Sequence, residues 1–204
     1  SNTFRLVIFR FAPGGPHRLV DEIRMPVRIS AGMTDGQIAT DALARARDAA
    51  DLFAAICMNK EVDAVDAVAT SAIRDAPNQG EILDILETAG VPPRVLSVEE
   101  EARYGLLGAV NSTTLTDGVV LDIGGGSMQI SQAHRRRMGE FLSRPLGAVR
   151  MTEAFLAETP TPRGALRSLK AYVREELAQE PWMHAAQDRL IGVGGAIRTL
   201  AKMD

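Results

Sequence analysis

An acid, three consecutive glycines and a hydroxyl follow one another in Val119-Val-Leu-Asp-Ile-Gly-Gly-Gly-Ser127, at the end of an apolar run that reads as a buried strand. Glycine reaches positive φ and lets an anion approach where a Cβ would otherwise stand. The N–H groups of Gly124, Gly125 and Gly126 can therefore converge on phosphate oxygens, with the Ser127 hydroxyl beside them. Asp122, at the strand's end, has the oxygen chemistry to hold a divalent cation directly or through water. No helix follows, as a dinucleotide or Walker-type loop would require. Met128-Gln-Ile-Ser-Gln-Ala133 resumes strand alternation, so the glycines form the tip of a β-hairpin. A glycine run between strands can equally be only a mobile turn.

A second candidate is the helix head Ser97-Val-Glu-Glu-Glu-Ala-Arg103. Ser97 is placed as N-cap and Glu100 as the residue that reaches back to it. Acids in a first turn meet the positive end of the helix dipole and need no further explanation. Glu101 is distinguished by Gly105 and Gly108, which share its face and remove bulk beside it. Either another backbone packs on that stripe or the face lines a cleft in which Glu101 acts as base or metal partner.

Ala69-Thr-Ser-Ala-Ile-Arg-Asp-Ala-Pro-Asn78 follows a short apolar strand. Strand ends collect ligands in open α/β sheets, so Arg74 suits a phosphate contact or, equally, a surface pair with Asp75. Ile191-Gly-Val-Gly-Gly-Ala196, which includes Gly194 and Gly195, is a strand-to-helix junction able to accept an anion or to serve as a tight packing turn. Arg144 and Arg150 are solvated or face an anion. His134-Arg-Arg-Arg137 reads as a solvated hairpin turn, with a polyanion contact as the alternative. The histidines, His17, His134 and His184, show no metal-ligand spacing, and Cys57 is the single cysteine, so neither a zinc site nor an internal disulfide framework is expected.

The elements that must position these groups alternate between strand and helix. Residues 4–11 and 18–29 read as strands joined through Pro13-Gly-Gly-Pro16. Thr34 and Gln37 suggest a capping box opening a long amphipathic helix, and Asn78 and Glu81 another. Strands are expected at 64–69, 94–96, 118–123, 127–133, 138–144 and 189–193, with later helices at 149–158, 163–180 and from 196. The polar stretch 111–118 divides the chain into two α/β halves, 1–113 and 114–204, each placing its sheet before its helices. The echo between halves suggests duplicated lobes with facing turns. With 204 residues, 46% of them hydrophobic, there is material for two cores. A net charge of −3 and no basic stripe with interleaved aromatics argue against a nucleic-acid surface. The absence of a leader or spanning run favours a cytoplasmic protein without membrane partners, although an N-terminus missing from the chain could carry an address.

Together these blocks resemble the exopolyphosphatase / guanosine pentaphosphate phosphohydrolase family of the actin-like superfamily. The resemblance is carried by Ser1-Asn2-Thr3, Ala69-Thr-Ser-Ala-Ile-Arg-Asp-Ala76, Glu99-Glu-Glu-Ala-Arg103, Asp122-Ile-Gly-Gly-Gly-Ser127, Pro145-Leu-Gly-Ala-Val-Arg150 and Gly192-Val-Gly-Gly195. It implies an α/β fold of two ribonuclease H-like lobes with mixed sheets flanked by helices, facing each other across a cleft. It also implies Mg²⁺ and removal of a terminal phosphate from polyphosphate or pppGpp, in a protein compatible with a homodimer. Glu101 matches the family's catalytic glutamate and Asp122 its metal-associated aspartate. Gly124, Gly125, Gly126 and Ser127 match a phosphate loop, and Ser1, Asn2, Thr3, Arg74, Gly194 and Gly195 further phosphate contacts. Relative to the family, the chain lacks a first strand before Ser1 and the remainder of the second lobe after Asp204. It also carries Ser127-Met128-Gln129 where the family has Ser-Thr-Glu. Gln129 cannot be an anionic base. A catalytically weak polyphosphate or alarmone sensor is therefore the alternative, and an actin-like sugar or acid kinase the third reading.

Overall fold

A computed structural model of the chain describes residues 3–178, 180–184 and 189–203, without the side chain of residue 184. The expected contacts from Ser1 and Asn2 lie outside the described residues. The chain forms two compact units, Ser1–Leu96 and Ser97–Asp204. The units divide before the Ser97 cap and not at the expected 113/114, because the helix that follows packs on the second unit's sheet.

In the first unit, β1 (Phe4–Arg10) and β2 (Arg18–Met25) form an antiparallel hairpin, with a bulge between Ile8 and Phe9. Helix α1 spans Thr40–Asn59. Strand β3 (Ala67–Ala69) pairs in parallel with β4 (Pro93–Val95), and between them lie α2 (Ser71–Arg74) and α3 (Gln79–Thr88). Small residues of α1, Ala42, Ala46, Ala49 and Ala50, are buried with Val27, Ile29, Ile38, Ile82 and Leu86. Both expected capping boxes here are corrected. Thr34 and Gln37 close a tight turn through positive-φ Asp35 and Gly36, and α1 starts six residues after Thr34. Asn78 precedes α3 without capping it, because its side-chain amide clasps Ile38 at both main-chain atoms, 2.8 Å to N and 3.1 Å to O.

The second unit starts with α4 (Val98–Ser112). Strands β5 (Gly118–Ile123), β6 (Met128–His134) and β7 (Arg137–Arg144) form an antiparallel meander. Helices α5 (Ala148–Phe155) and α6 (Ala165–Ala178) and a 3₁₀ turn at Pro181–His184 lead to β8 (Leu190–Val193), which joins β5 in parallel. Helix α7 (Gly195–Leu200) follows, and the sheet order is β7-β6-β5-β8. Strand alternation sorts the two faces. Val120 and Ala133 pack with Leu106, Ala109 and Val110 of α4, whereas Val119, Leu121, Met128 and Ile130 belong to a cluster with Met151 and Leu169. Helix α4 therefore belongs to the second unit because its apolar face is buried by that unit's sheet.

The His134-to-Arg137 segment is the hairpin turn that its composition suggests. Arg135 and Arg136 both have positive φ, while His134 pairs with Arg137. Arg136 donates to the carbonyls of Val110 at 2.6 Å and Leu115 at 3.2 Å, supplying a cation at the negative end of α4. Cys57 is buried.

Candidate phosphate-binding site

The capping box that opens α4 is complete. Ser97 Oγ accepts from the Glu100 N–H at 3.1 Å, and Glu100 Oε2 accepts from the Ser97 N–H at 2.9 Å. Glu100 is thereby committed to the cap, and Glu101, one position on, turns to the sheet. There it meets Gln129, whose Nε2 donates to Glu101 Oε1 at 3.2 Å and to Ser127 Oγ at 3.0 Å. Gln129 is only 6% exposed. Its partner across the β5–β6 ladder is Asp122, so alternation places both side chains on the face covered by α4. A Cβ on Gly105, one helical turn beyond Glu101, would make ordinary contact with Asp122 Oδ2 at 3.8 Å, and Gly108 has no neighbour within 4 Å. No other backbone packs on this stripe, and neither glycine is required by a close approach.

Burial raises the Asp122 carboxyl above its ordinary value, and the negative charge of Glu101 pushes in the same direction; Arg198 opposes them. Behind Asp122 stands the second glycine junction. Gly194 has a φ of +92°, and a Cβ on it would lie 2.5 Å from the Ile123 carbonyl oxygen and 2.8 Å from Asp122 Oδ1. Gly192 leaves room for Ile197 in the same way. Of the two expected uses of this junction, the geometry is that of a tight packing turn. Gly194 closes on the acid, and Gly195 opens a helix of six residues.

The glycine loop is pinned rather than mobile. Gly124 N–H donates to the Ser127 carbonyl at 2.9 Å, closing the loop. The first N–H groups of α5 then take the loop's carbonyls: Ala148 donates to Gly124 O, and Val149 and Arg150 donate to Gly125 O. Arg150 Nε reaches the Gly126 carbonyl at 3.1 Å. The contact is so close that a Cβ on Gly147 would lie 2.3 Å from Gly125 O. The carbonyl side of the loop is thus occupied, while the N–H groups of Gly125 and Gly126 have no partner among the described residues. None of Gly124, Gly125 and Gly126 takes the positive φ expected of them; what the loop offers an anion is two adjacent main-chain donors without partners among the described residues.

Arg74 lies in the first unit, where Nη1 donates to Leu96 O at 2.9 Å and Nε pairs with Asp75 at 3.1 Å. The Asp75 pair of the sequence reading is present, and the guanidinium also ties down the end of β4. Thr3 is exposed just before β1. Arg144 pairs with Glu176 at 3.4 Å and Glu180 at 2.7 Å, so it is neither solvated nor turned to a ligand. Arg198 and Gly147 escaped sequence reasoning as site elements, since each acts on a partner more than twenty residues away. Among the described residues no group of three or more His, Cys, Asp or Glu could hold a metal. The oxygen donors Asp122 and Glu101 nevertheless fit Mg²⁺, which binds through one or two carboxylates and completes its shell with water and phosphate.

The family model described as the Ppx/GppA phosphatase family matches residues 7–204. Exopolyphosphatase 1 of Mycobacterium tuberculosis is 29% identical over 211 residues, covering 100% of the chain. The chain spans 61% of that relative's length. Among solved structures, an exopolyphosphatase from Cytophaga hutchinsonii is similar with a TM-score of 0.91 and 25% identity, over 99% of this chain and 66% of the other. The Aquifex aeolicus PPX-GPPA enzyme is similar with a TM-score of 0.78 and 27% identity, over 100% of this chain and 68% of the other. The α/β fold with mixed sheets is shared by these proteins and, as a fold alone, by more distant neighbours of the actin-like ATPase fold.

Proposed function

Since this chain belongs to the Ppx/GppA phosphatase family, we propose that it carries the catalytic site of a phosphoanhydride hydrolase releasing the terminal phosphate of inorganic polyphosphate or of pppGpp in the cytoplasm. The observation that carries the reading is the glycine loop, with its carbonyls held by α5, its Gly125 and Gly126 N–H groups without partners among the described residues, and Ser127 linked through Gln129 to Glu101. The loop's N–H groups and the Ser127 hydroxyl hold the terminal phosphoryl oxygens. A water aligned by Glu101 attacks phosphorus, its proton passes to the Glu101 carboxylate, and the anhydride P–O bond breaks with its electrons leaving on the remaining phosphate chain. Asp122, with Glu101 as second oxygen donor, would hold Mg²⁺, which supplies charge neutralisation at the phosphate oxygens. Gln129 takes no proton and acts by hydrogen bonding alone.

Phosphate release by the full-length protein, measured with polyphosphate and with pppGpp, tests the reading. Multiple turnovers, abolished by chelation of divalent cations, are expected with at least one of the two. Tight binding by titration calorimetry without release would replace the enzyme by a polyphosphate or alarmone sensor, the reading that Gln129 favours. Turnover requiring ATP and an acceptor, with no polyphosphate hydrolysis, would indicate a kinase.

A further inference from the structure

Gln129 is buried in the wall between two groups that the proposed chemistry uses, and a single NH₂ group serves both. One N–H points to Glu101 Oε1 at 3.2 Å and the other to Ser127 Oγ at 3.0 Å. The orientation of the amide is dictated by its neighbours, because its carbonyl turned toward the Glu101 carboxylate would oppose like partial charges. With Ser127 Oγ accepting from Gln129, the serine hydrogen is directed to some other acceptor. Asp122 faces Gln129 across the ladder.

We infer that Gln129 is the positioning residue of this site: its amide holds the Glu101 carboxylate and sets the Ser127 hydroxyl as a donor, so the loop is assembled with no cation between residues 101 and 129. The inference rests on the functional reading above and deepens it. A carboxylate at position 129 would reverse both settings. Two carboxylates at hydrogen-bond separation need a shared proton or a cation between them, and Ser127 would turn its hydrogen to the new acid. The chain's own amide thus fixes how many divalent ions the site accepts, with Asp122 as the anchor for one.

The test is a Mn²⁺ titration of the full-length protein without any phosphate compound, followed by electron paramagnetic resonance. Gln129→Glu is expected to gain an additional Mn²⁺ equivalent, or to bind Mn²⁺ about tenfold more tightly than wild type. The exchanged pair Glu101→Gln/Gln129→Glu, which restores one amide and one carboxylate, is expected to return to the wild-type titration. Unchanged stoichiometry and affinity in Gln129→Glu overturns the inference. Should the single variant fail to fold by circular dichroism, the exchanged pair carries the test alone: a folded protein with wild-type Mn²⁺ affinity upholds the inference, and failure to recover either overturns it. Neither titration involves turnover, so a wild-type protein that releases no phosphate would refute the functional reading and leave this one standing.

Discussion

Asp122 carries the strongest electrostatic conflict of the site, and the conflict has a direction. Burial and the charge on Glu101 raise its carboxyl above the ordinary value, with Arg198 only partly offsetting them. A carboxyl raised in the folded state keeps its proton to higher pH than in the unfolded chain. Between the ordinary value and the raised one the unfolded state binds fewer protons, so this group's contribution to stability falls as pH rises through that window. In the presence of a chelator, Asp122→Asn is therefore expected to raise the melting temperature at pH 7 and to flatten the loss of stability on the alkaline side of the ordinary carboxylate range. Mg²⁺ should stabilise wild type and have little effect on the variant. Thermal melts from pH 4 to pH 7 check this, and a variant that melts below wild type throughout would contradict it. At this scale the sequence was informative wherever residue type limits the chemistry: Asp122, the glycines, Ser127 and Glu101 stand out by what they are. Arg198 does not, because an arginine in a helix is ordinary until folding brings it to a buried acid.

Among elements, the contact that shapes the loop is the one with the start of α5. Gly147 is fixed by proximity: a Cβ would lie 2.3 Å from Gly125 O and 2.4 Å from Gly126 C, both main-chain atoms held by hydrogen bonds. Gly147→Ala must therefore move either the loop or the helix. It is expected to cost about 1–3 kcal/mol of stability, the usual range for overpacking, and to weaken phosphate binding. Denaturant melts, with phosphate affinity measured on the folded fraction, check this; wild-type values in both would show that the contact does not shape the loop. Strand periods made the hairpins legible, including the glycine tip and the Arg135-Arg136 turn. The start of α1 was not legible, since the local Thr34 and Gln37 pattern loses to Asn78, whose amide clasps Ile38 from forty residues away. Hydrogen bonds of that reach leave no periodic trace.

At the scale of the molecule, the alternation of strands and helices specified an α/β chain in two parts, and the residue blocks pointed to the family that the comparisons show. The polar, turn-rich stretch at 111–118 resembles a linker. In the folded chain it joins α4 to the sheet on which α4 packs, and the compact units divide at Leu96/Ser97. The shift has a functional consequence: Glu101 and the glycine loop belong to the same compact unit, so their mutual geometry is set within one core. In the proposed chemistry this unit positions a carboxylate to align water against a loop-bound phosphate. The most direct measurement is steady-state phosphate release from polyphosphate by the full-length protein and its Glu101→Gln variant under saturating Mg²⁺. A fall of about 10²–10⁴-fold in the variant, with polyphosphate binding and melting temperature retained, is the predicted result; turnover at the wild-type rate would contradict it.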